Sequence, residues 1–220
     1  MVTFEEDKKT MANRSGILST GIVLLLLVGL PAMSYWYLAT GYEYRKDGIM
    51  TQGDFGKMPD LQTLSPVRGE LPGSLRGSMT VVGWLDPTKN ATTEAYGQML
   101  DSVYQQFKDS PYLYFTTIIQ AGDPAAAASS FAEKHSLDNS DMLSFLAADE
   151  AAFLQTARDF KLPGIPGESP VVALVDSSLT IVKHYDLSSR EETLGLVQLI
   201  SLIIPLPQRP EIVLEREKEL

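Results

Sequence analysis

Cysteine is missing from this 220-residue chain. Its absence excludes disulfide bonds, thiol catalysis, thiolate metal sites and lipid attachment at cysteine. The absence of cysteine does not identify the cellular compartment, because many exported domains also lack this residue. Histidine is scarce too, with only two copies, His135 and His184. They fall on separate predicted elements, so we expect no two-histidine metal site. His135 ends a predicted helix, where a cationic ring would interact favourably with the helix dipole.

Basic residues are also fewer than acidic ones. The chain has 18 Lys and Arg against 28 Asp and Glu, which gives a formal net charge of -10. Such a surface repels nucleic acids and anionic headgroups, so we expect no nucleic-acid partner, whereas a basic partner would be attracted. The sequence also lacks the G-x-S-x-G, P-loop and G-x-G-x-x-G motifs of common hydrolases and nucleotide-binding proteins.

One segment lacks charge altogether. Residues 16–42 contain no charged side chain, and residues 17–38 have the length of about 20 apolar residues that spans a bilayer. The aromatic residues at its end are typical of a membrane–water boundary and are candidates for contact with a partner. Pro31 predicts a kink. The apolar run is longer than that of a signal peptide and lacks an A-x-A cleavage site, so we expect an uncleaved anchor. The three aromatic residues are Tyr35, Trp36 and Tyr37.

The basic residues that flank this segment predict its orientation. Three precede it and two follow it, which by a narrow margin favours a cytoplasmic N-terminus. We therefore expect residues 1–16 to form a cytoplasmic tail, and the C-terminal domain to lie in the periplasm of a bacterial cell. The basic residues before the segment are Lys8, Lys9 and Arg14, and those after it are Arg45 and Lys46.

The remainder of the chain alternates strand and helix patterns. Residues 39–77 are rich in Gly, Pro, Asp and Lys, and predict a linker with an irregular lead-in. Residues 78–204 predict the order β-α-β-α-β-α-β-β-α, which indicates an α/β domain with a mixed sheet and resembles a thioredoxin-like fold. The predicted strands are 78–85, 112–119, 143–146, 171–176 and 180–185, and the predicted helices are 92–108, 125–134, 150–160 and 189–204.

Three stretches carry a more specific resemblance. Residues 81–87 read VVGWLDP, residues 172–186 read VALVDSSLTIVKHYD, and residues 131–160 combine a helix, a loop, a short strand and a second helix. Together they resemble the SCO family, which are membrane-anchored, thioredoxin-fold copper chaperones for the assembly of cytochrome c oxidase. The resemblance covers about residues 78–204.

The resemblance implies a degenerate member of that family. The family binds copper through the two cysteines of a C-P-x-x-C motif and a distant histidine, and these positions fall on Asp86, Asn90 and Glu168. Cu(I) prefers soft thiolate ligands, and thiol–disulfide exchange needs sulfur. The resemblance therefore implies that copper chemistry is lost. Leu179 stands where the family's hairpin has glycine, so we expect a different turn there.

The residues at the altered positions allow two interpretations. Asp86 and Asn90 are short polar residues that build turns and cap helices, and Thr92 or Thr93 could cap the following helix. Alternatively, Asp86, Asn90 and Glu168 could converge as an oxygen site for Ca²⁺ or Mg²⁺.

The C-terminal residues 205–220 are rich in proline and then in charge. Such a segment resists helix formation and stays extended, so it is either a solvated tail or a strap along a partner. Its candidate anchors are Ile212, Val213 and Leu214.

These observations predict a non-catalytic, membrane-anchored accessory or assembly subunit of a respiratory membrane complex, centred on a haem–copper oxidase. Its partners would be integral membrane subunits of that complex, and it would hold no catalytic residue and no cofactor. The link to respiration follows from the resemblance alone. The alternatives are a stand-alone periplasmic chaperone that holds basic clients on its acidic surface, and a carrier of divalent metal at Asp86, Asn90 and Glu168.

Overall fold

Two compact units make up the chain, Met1–Met50 and Thr51–Leu220. The predicted tails, residues 1–16 and 205–220, lie outside the described residues. A computed structural model of the chain describes residues 21–50, 52–137 and 141–204.

The first unit contains a long apolar helix. Residues Gly21–Tyr42 form a segment of 22 residues whose mean hydropathy reaches 1.9 over an 18-residue stretch, so the segment is long and apolar enough to cross a membrane. A π-turn, Leu25–Gly29, precedes helix α1 (Leu30–Met50). Proline lacks an N–H, and its ring clashes with the carbonyl group four residues earlier, which for Pro31 lies inside this π-turn. The helix thus has a wider turn just before Pro31, and the kink predicted there stays a prediction.

Helix α1 also corrects the predicted linker. Residues 39–77 were expected to be irregular, but α1 continues through Met50. The later part of that range, from residue 52, belongs to the second unit and is hydrogen-bonded to it. The composition of residues 39–77 indicated a linker because glycine, proline and charged residues are frequent there. The helix and the backbone hydrogen bonds of residues 53–58 show instead that much of this range is ordered.

The second unit is an α/β domain. Its described residues form six strands, four α-helices and a short 3₁₀ helix, Leu61–Thr63. The strands are β1 (Ser65–Arg68), β2 (Met79–Leu85), β3 (Leu113–Ile119), β4 (Leu143–Ala147), β5 (Val171–Val175) and β6 (Ile181–Asp186). The helices are α2 (Asn90–Phe107), α3 (Pro124–Lys134), α4 (Glu150–Asp159) and α5 (Arg190–Ile203).

All six strands join one mixed sheet in the order β1-β4-β3-β2-β5-β6. Strands β2, β3 and β4 are parallel, and the other pairs are antiparallel. Every residue of β2 is buried, as expected for a central strand that is covered on both faces. This arrangement confirms the predicted α/β class with a mixed sheet flanked by helices.

Apolar side chains cover both faces of the sheet. On one face, helices α2, α3 and α5 contribute residues such as Tyr96, Phe131 and Leu196 to a continuous cluster. On the other face, α4 and the lead-in before β1 contribute Phe153 and Leu61. The two layers hold β2 at the centre, so the loop at its carboxyl end begins from a rigid position.

The lead-in pairs with the outer edge of β6. The backbone N–H groups of Gly53 and Phe55 donate to the carbonyl oxygens of Val182 and Ile181, at 2.8 and 3.0 Å. Strand β1 then pairs with β4 at the opposite edge. The sequence analysis missed β1 because it is short and contains proline, which disfavours a strand.

The hairpin between β5 and β6 contradicts the expectation at Leu179. This residue adopts the left-handed conformation, with φ 63°, so the turn keeps the geometry for which glycine is favoured. The Asp176 carboxylate accepts hydrogen bonds from the N–H groups of Ser178 and Thr180, at 2.9 and 2.8 Å. The Leu179 carbonyl also accepts from the N–H of Met58 at 2.9 Å. These hydrogen bonds hold Leu179 in a left-handed backbone conformation that leucine disfavours.

Candidate functional site

The loop after β2 is closed by its own hydrogen bonds. Asp86 Oδ1 accepts from the Thr88 N–H at 2.9 Å and from the Thr88 hydroxyl at 2.6 Å. The Asp86 carbonyl oxygen accepts from the N–H of Lys89 at 3.0 Å. The side chain of Asp86 therefore builds the turn, which is the structural role predicted for it.

The start of helix α2 differs from the prediction. The helix begins at Asn90, and its capping residue, Lys89, makes no side-chain cap. Thr92 instead donates its hydroxyl hydrogen to the carbonyl oxygen of Glu168 at 3.0 Å, and Thr93 donates to that of Asp86, also at 3.0 Å. The two threonines thus tie loops together, because their hydroxyl groups face carbonyl oxygens outside the helix.

A second loop, residues 162–170, packs against the first. Gly167 is buried and has φ 80°, and a Cβ atom added to it would lie 2.9 Å from Asp86 Cβ. Only glycine fits this approach, because both the conformation and the space exclude a side chain. We call residues 86–89 and 162–170 the loop pair.

The structure therefore brings the loop that carries Glu168 against Asp86. The side chains of Asn90 and Glu168 are exposed, whereas that of Asp86 is half-buried. Gly167, Thr92 and Thr93 form this contact, and the sequence analysis missed these roles. Only the G-x-P-G spacing around Gly167 signals a tight loop.

The oxygen-site interpretation gains no support from the described residues. Within them, no group of three or more His, Asp or Glu side chains could hold a metal ion. One carboxylate oxygen of Asp86 is already an acceptor for Thr88. Hard cations take several oxygen ligands, which the loop pair does not assemble.

His135 lies away from the loop pair, buried between helices α2 and α3. Its ring lies 4.8 Å from that of Phe131, and a Cβ atom added to Gly97 would lie 2.2 Å from its Nε2. Among the described residues, Nε2 has no hydrogen-bond partner. Burial lowers the pKa of His135, and the nearby Glu94 carboxylate only partly opposes this shift. The lowered pKa disfavours the cationic form of the ring, and with it the predicted interaction with the helix dipole.

His184 lies on β6, on another part of the sheet. Its Nε2 is 2.8 Å from the carbonyl oxygen of Phe160. A carbonyl oxygen only accepts, so Nε2 carries the hydrogen. Burial lowers the pKa of His184, and the bond to Phe160 partly offsets the shift. The two histidines contact different elements, His135 between α2 and α3 and His184 beside Phe160.

The residues predicted to bind a partner lie in two places, the apolar helix and the C-terminal segment. Tyr35, Trp36 and Tyr37 are 76%, 69% and 75% exposed on the apolar helix. Their contact with a partner stays a prediction. Residues 212–214 lie outside the described residues.

Comparison with known proteins supports the fold. No family model and no curated protein matches the chain. A candidate protein disulfide isomerase from Bacteroides thetaiotaomicron is similar, with a TM-score of 0.54 and 19% identity over 69% of this chain and 90% of that one. At this identity the similarity shows the fold alone, so the second unit has a thioredoxin-like fold, as predicted.

Two further solved structures show weaker similarity. One is a SCO1/SenC family lipoprotein from Bacillus anthracis, with a TM-score of 0.48 and 13% identity over 59% of this chain and 83% of that one. The other is a secreted Mycobacterium tuberculosis disulfide oxidoreductase, with a TM-score of 0.45 and 14% identity over 65% of this chain and 98% of that one. Neither carries a functional argument, and the resemblance to the SCO family stays a prediction.

Proposed function

We propose that the chain is a non-catalytic, membrane-anchored accessory or assembly subunit of a respiratory membrane complex, and that this complex contains a haem–copper oxidase. One observation carries the proposal. A thioredoxin-like domain without cysteine holds the loop after its central strand closed by internal hydrogen bonds.

That loop has no group suited to redox transfer. Disulfide exchange proceeds by attack of a thiolate on a disulfide sulfur, and Cu(I) is held by soft ligands. Asp86 offers a carboxylate that is engaged by Thr88, and Asn90 offers an exposed amide. Neither side chain can replace a thiolate, so the domain acts by binding.

The loop pair retains the form of a recognition surface. Gly167 and Thr92 lock its two loops together, so the exposed side chains project from a rigid base. These include Ile165, which is 58% exposed, and the charged Lys89 and Glu168. An exposed apolar residue among charged neighbours fits contact with a protein partner.

The anchor supports a place at a membrane. Residues Gly21–Tyr42 are long and apolar enough to span it. We propose a cytoplasmic N-terminus and a periplasmic domain, because basic residues are slightly more frequent before the segment. The respiratory assignment itself rests on the sequence resemblance to SCO proteins.

The test is to identify the companions of the full chain. The tagged protein is purified in a gentle detergent, its companions are identified by mass spectrometry, and haem is detected by absorbance. We expect integral oxidase or cytochrome subunits in amounts comparable to the chain. If the chain runs alone, or with soluble basic proteins that moderate salt removes, the proposal fails, and the second result favours the acidic chaperone instead.

A matched pair of variants tests which surface makes the contact. Ile165→Asp places a charge on the loop pair, and we expect it to reduce recovery of the companions. Leu194→Asp makes the same change on α5, at a leucine that is 50% exposed, and should leave recovery unchanged. Equal recovery with both variants would exclude the loop pair as the docking surface.

A further inference from the structure

The apolar helix leaves one backbone carbonyl group without a donor. In the π-turn Leu25–Gly29, the N–H of Leu30 donates to the carbonyl oxygen of Leu25. In a regular helix that N–H would serve Leu26, which lies four residues earlier. The next residue, Pro31, has no N–H to offer. Within the described helix, the carbonyl oxygen of Leu26 therefore has neither an α-helical nor a π-helical donor.

Side chains of the same helix do not replace the missing donor. A hydroxyl group bonds back to a carbonyl oxygen three or four residues earlier, as the Thr40 hydroxyl does to the Trp36 carbonyl oxygen at 2.9 Å. The residues three and four positions after Leu26 are Gly29 and Leu30, which have no polar side-chain group. The donor must therefore come from outside the helix.

The open carbonyl group of Leu26 lies inside the apolar segment. Leu26 is 5 residues from Gly21 and 16 residues from Tyr42, which correspond to about 8 and 24 Å along the helix axis. Hydrocarbon offers no hydrogen-bond donor, and a buried water molecule needs about two to four polar partners. Because the neighbouring side chains are apolar, a donor from another protein segment is the remaining source.

A second copy of this chain does not supply that donor. Two copies have the same orientation in the membrane, so a symmetric pair places identical residues at the same depth. Within one helical turn of Leu26, residues 22–30 have only apolar side chains or none. Among the described residues of the segment, the nearest side chain with a donor is Ser34, which lies 8 residues or about 12 Å away.

We propose that the apolar helix packs against a membrane-spanning helix of a different protein, and that a serine, threonine, asparagine or glutamine of that helix donates to the carbonyl oxygen of Leu26. Such side chains form hydrogen bonds between helices in membranes. The donor complements the partial negative charge of the carbonyl oxygen. The inference rests on the membrane anchor of the proposed function, but not on the identity of the complex.

The position of this carbonyl group defines the side of contact. A helical side chain covers the turn before its own Cα, so Leu30 lies over the carbonyl oxygen of Leu26. Val28 is two positions from Leu26 and projects from the other side. The two side chains are 54% and 56% exposed. They are therefore matched in exposure and differ in the side that they mark.

Photo-cross-linking in membranes tests the side and the partner. The substitutions Leu30→p-benzoylphenylalanine and Val28→p-benzoylphenylalanine are made separately in the full chain, in the cells that produce it, and the products are identified by mass spectrometry. We expect position 30 to cross-link an integral membrane protein several-fold more efficiently than position 28. Equal cross-linking from both positions, or products from position 30 that contain only lipid or a second copy, would overturn the proposal.

Variants at Pro31 test the hydrogen bond itself. Pro31→Ala supplies an N–H and allows a regular helix, so we expect recovery of the cross-linked partner in gentle detergent to fall by about threefold to tenfold. The matched control places lactic acid at residue 31, because it has the methyl side chain of alanine but, like proline, no N–H. It should retain the recovery of the parent. Equal recovery with alanine and lactic acid would contradict the bond.

A double-mutant cycle tests the donor on the partner helix. Replacement of that donor by alanine should lower recovery as much as Pro31→Ala does, and the combination of both changes should add little. Full additivity, or a partner helix without a polar side chain at the depth of Leu26, would refute the assignment.

The same experiments separate this inference from the proposed function. A cross-linked partner from outside the respiratory complexes would overturn the proposed function and leave the helix contact in place. Oxidase subunits that are recovered with the chain, but form no cross-link from position 30, would overturn the helix contact alone.

Discussion

The loop pair and the buried region around His135 use their polar groups in opposite ways. In the loop pair and the start of α2, Asp86, Thr92 and Thr93 all have hydrogen-bond partners within the chain. Between α2 and α3, the buried His135 Nε2 has no hydrogen-bond partner among the described residues. The comparison teaches that similarity to a family can point to a place whose polar groups are already satisfied, while an unsatisfied polar group lies elsewhere.

The largest expected effect comes from restoring the family's ligands in the loop pair. The variant D86C/N90C/E168H should gain about one bound Cu(I) per chain, where the parent binds none detectably, because thiolate and imidazole suit this metal. Copper is measured in the purified full chain under reducing conditions. D86S/N90S/E168H is the control without sulfur and should stay copper-free. No copper in the first variant would mean that these three positions do not form one site.

The contact inside the loop pair should be sensitive to a single methyl group. Gly167→Ala adds a Cβ atom 2.9 Å from that of Asp86 at φ 80°, so we expect a loss of about 2–4 kcal/mol in the free energy of unfolding. Gly164→Ala has φ 89° but open space and should cost only about 1–2 kcal/mol. Denaturant unfolding measures both. Equal losses would show that the two loops do not touch.

The buried histidines predict that stability depends on pH. His135 and His184 have a pKa lowered by burial from the ordinary value of 6.5. Their contribution is fully present above pH 6.5 and is lost as the pH falls through the lowered pKa, since the unfolded chain then binds more protons. Around His135, the carboxylates of Glu94 and Asp101 oppose the shift and the Lys134 ammonium adds to it.

A variant assigns this dependence to one ring. His135→Leu keeps an apolar side chain between α2 and α3, and should flatten the fall in stability below pH 6.5 relative to the parent. His184→Leu removes the other ring and serves as the comparison. If neither variant changes the profile measured by thermal unfolding, the titrating groups lie elsewhere.

The smallest expected effect is on the bond that joins the two loops. Thr92→Val removes the hydroxyl hydrogen bond to the Glu168 carbonyl oxygen and should cost about 0.5–1.5 kcal/mol. Thr92→Ser keeps the hydroxyl group and should restore most of the loss. Equal stability of both variants, measured by denaturant unfolding, would show that this bond contributes nothing.

Local sequence patterns were sufficient to predict most strands and helices of the second unit. The apolar run of β2 and the spaced apolar residues of α2 correctly predicted a strand and a helix. A strand covered on both faces is apolar throughout, whereas a helix covered on one side is apolar at every third or fourth residue. The same reasoning missed β1, whose pairing with β4 leaves little trace in four residues. It also placed Leu179 outside the left-handed region, although a hydrogen bond from Thr180 to the Asp176 carboxylate and one from the Met58 N–H to the Leu179 carbonyl oxygen hold the turn there.

The sequence by itself determined three properties of this protein. Without cysteine it has no thiol chemistry, its uncharged segment is long enough for a membrane, and its alternating periods make an α/β domain. Only the tertiary structure decided that Gly167 lies against Asp86 and that Phe55 shares a pocket with Lys161 and His184. Composition and periodicity act within one segment, whereas these contacts join residues about 80 to 130 positions apart and follow from how the layers pack on the sheet.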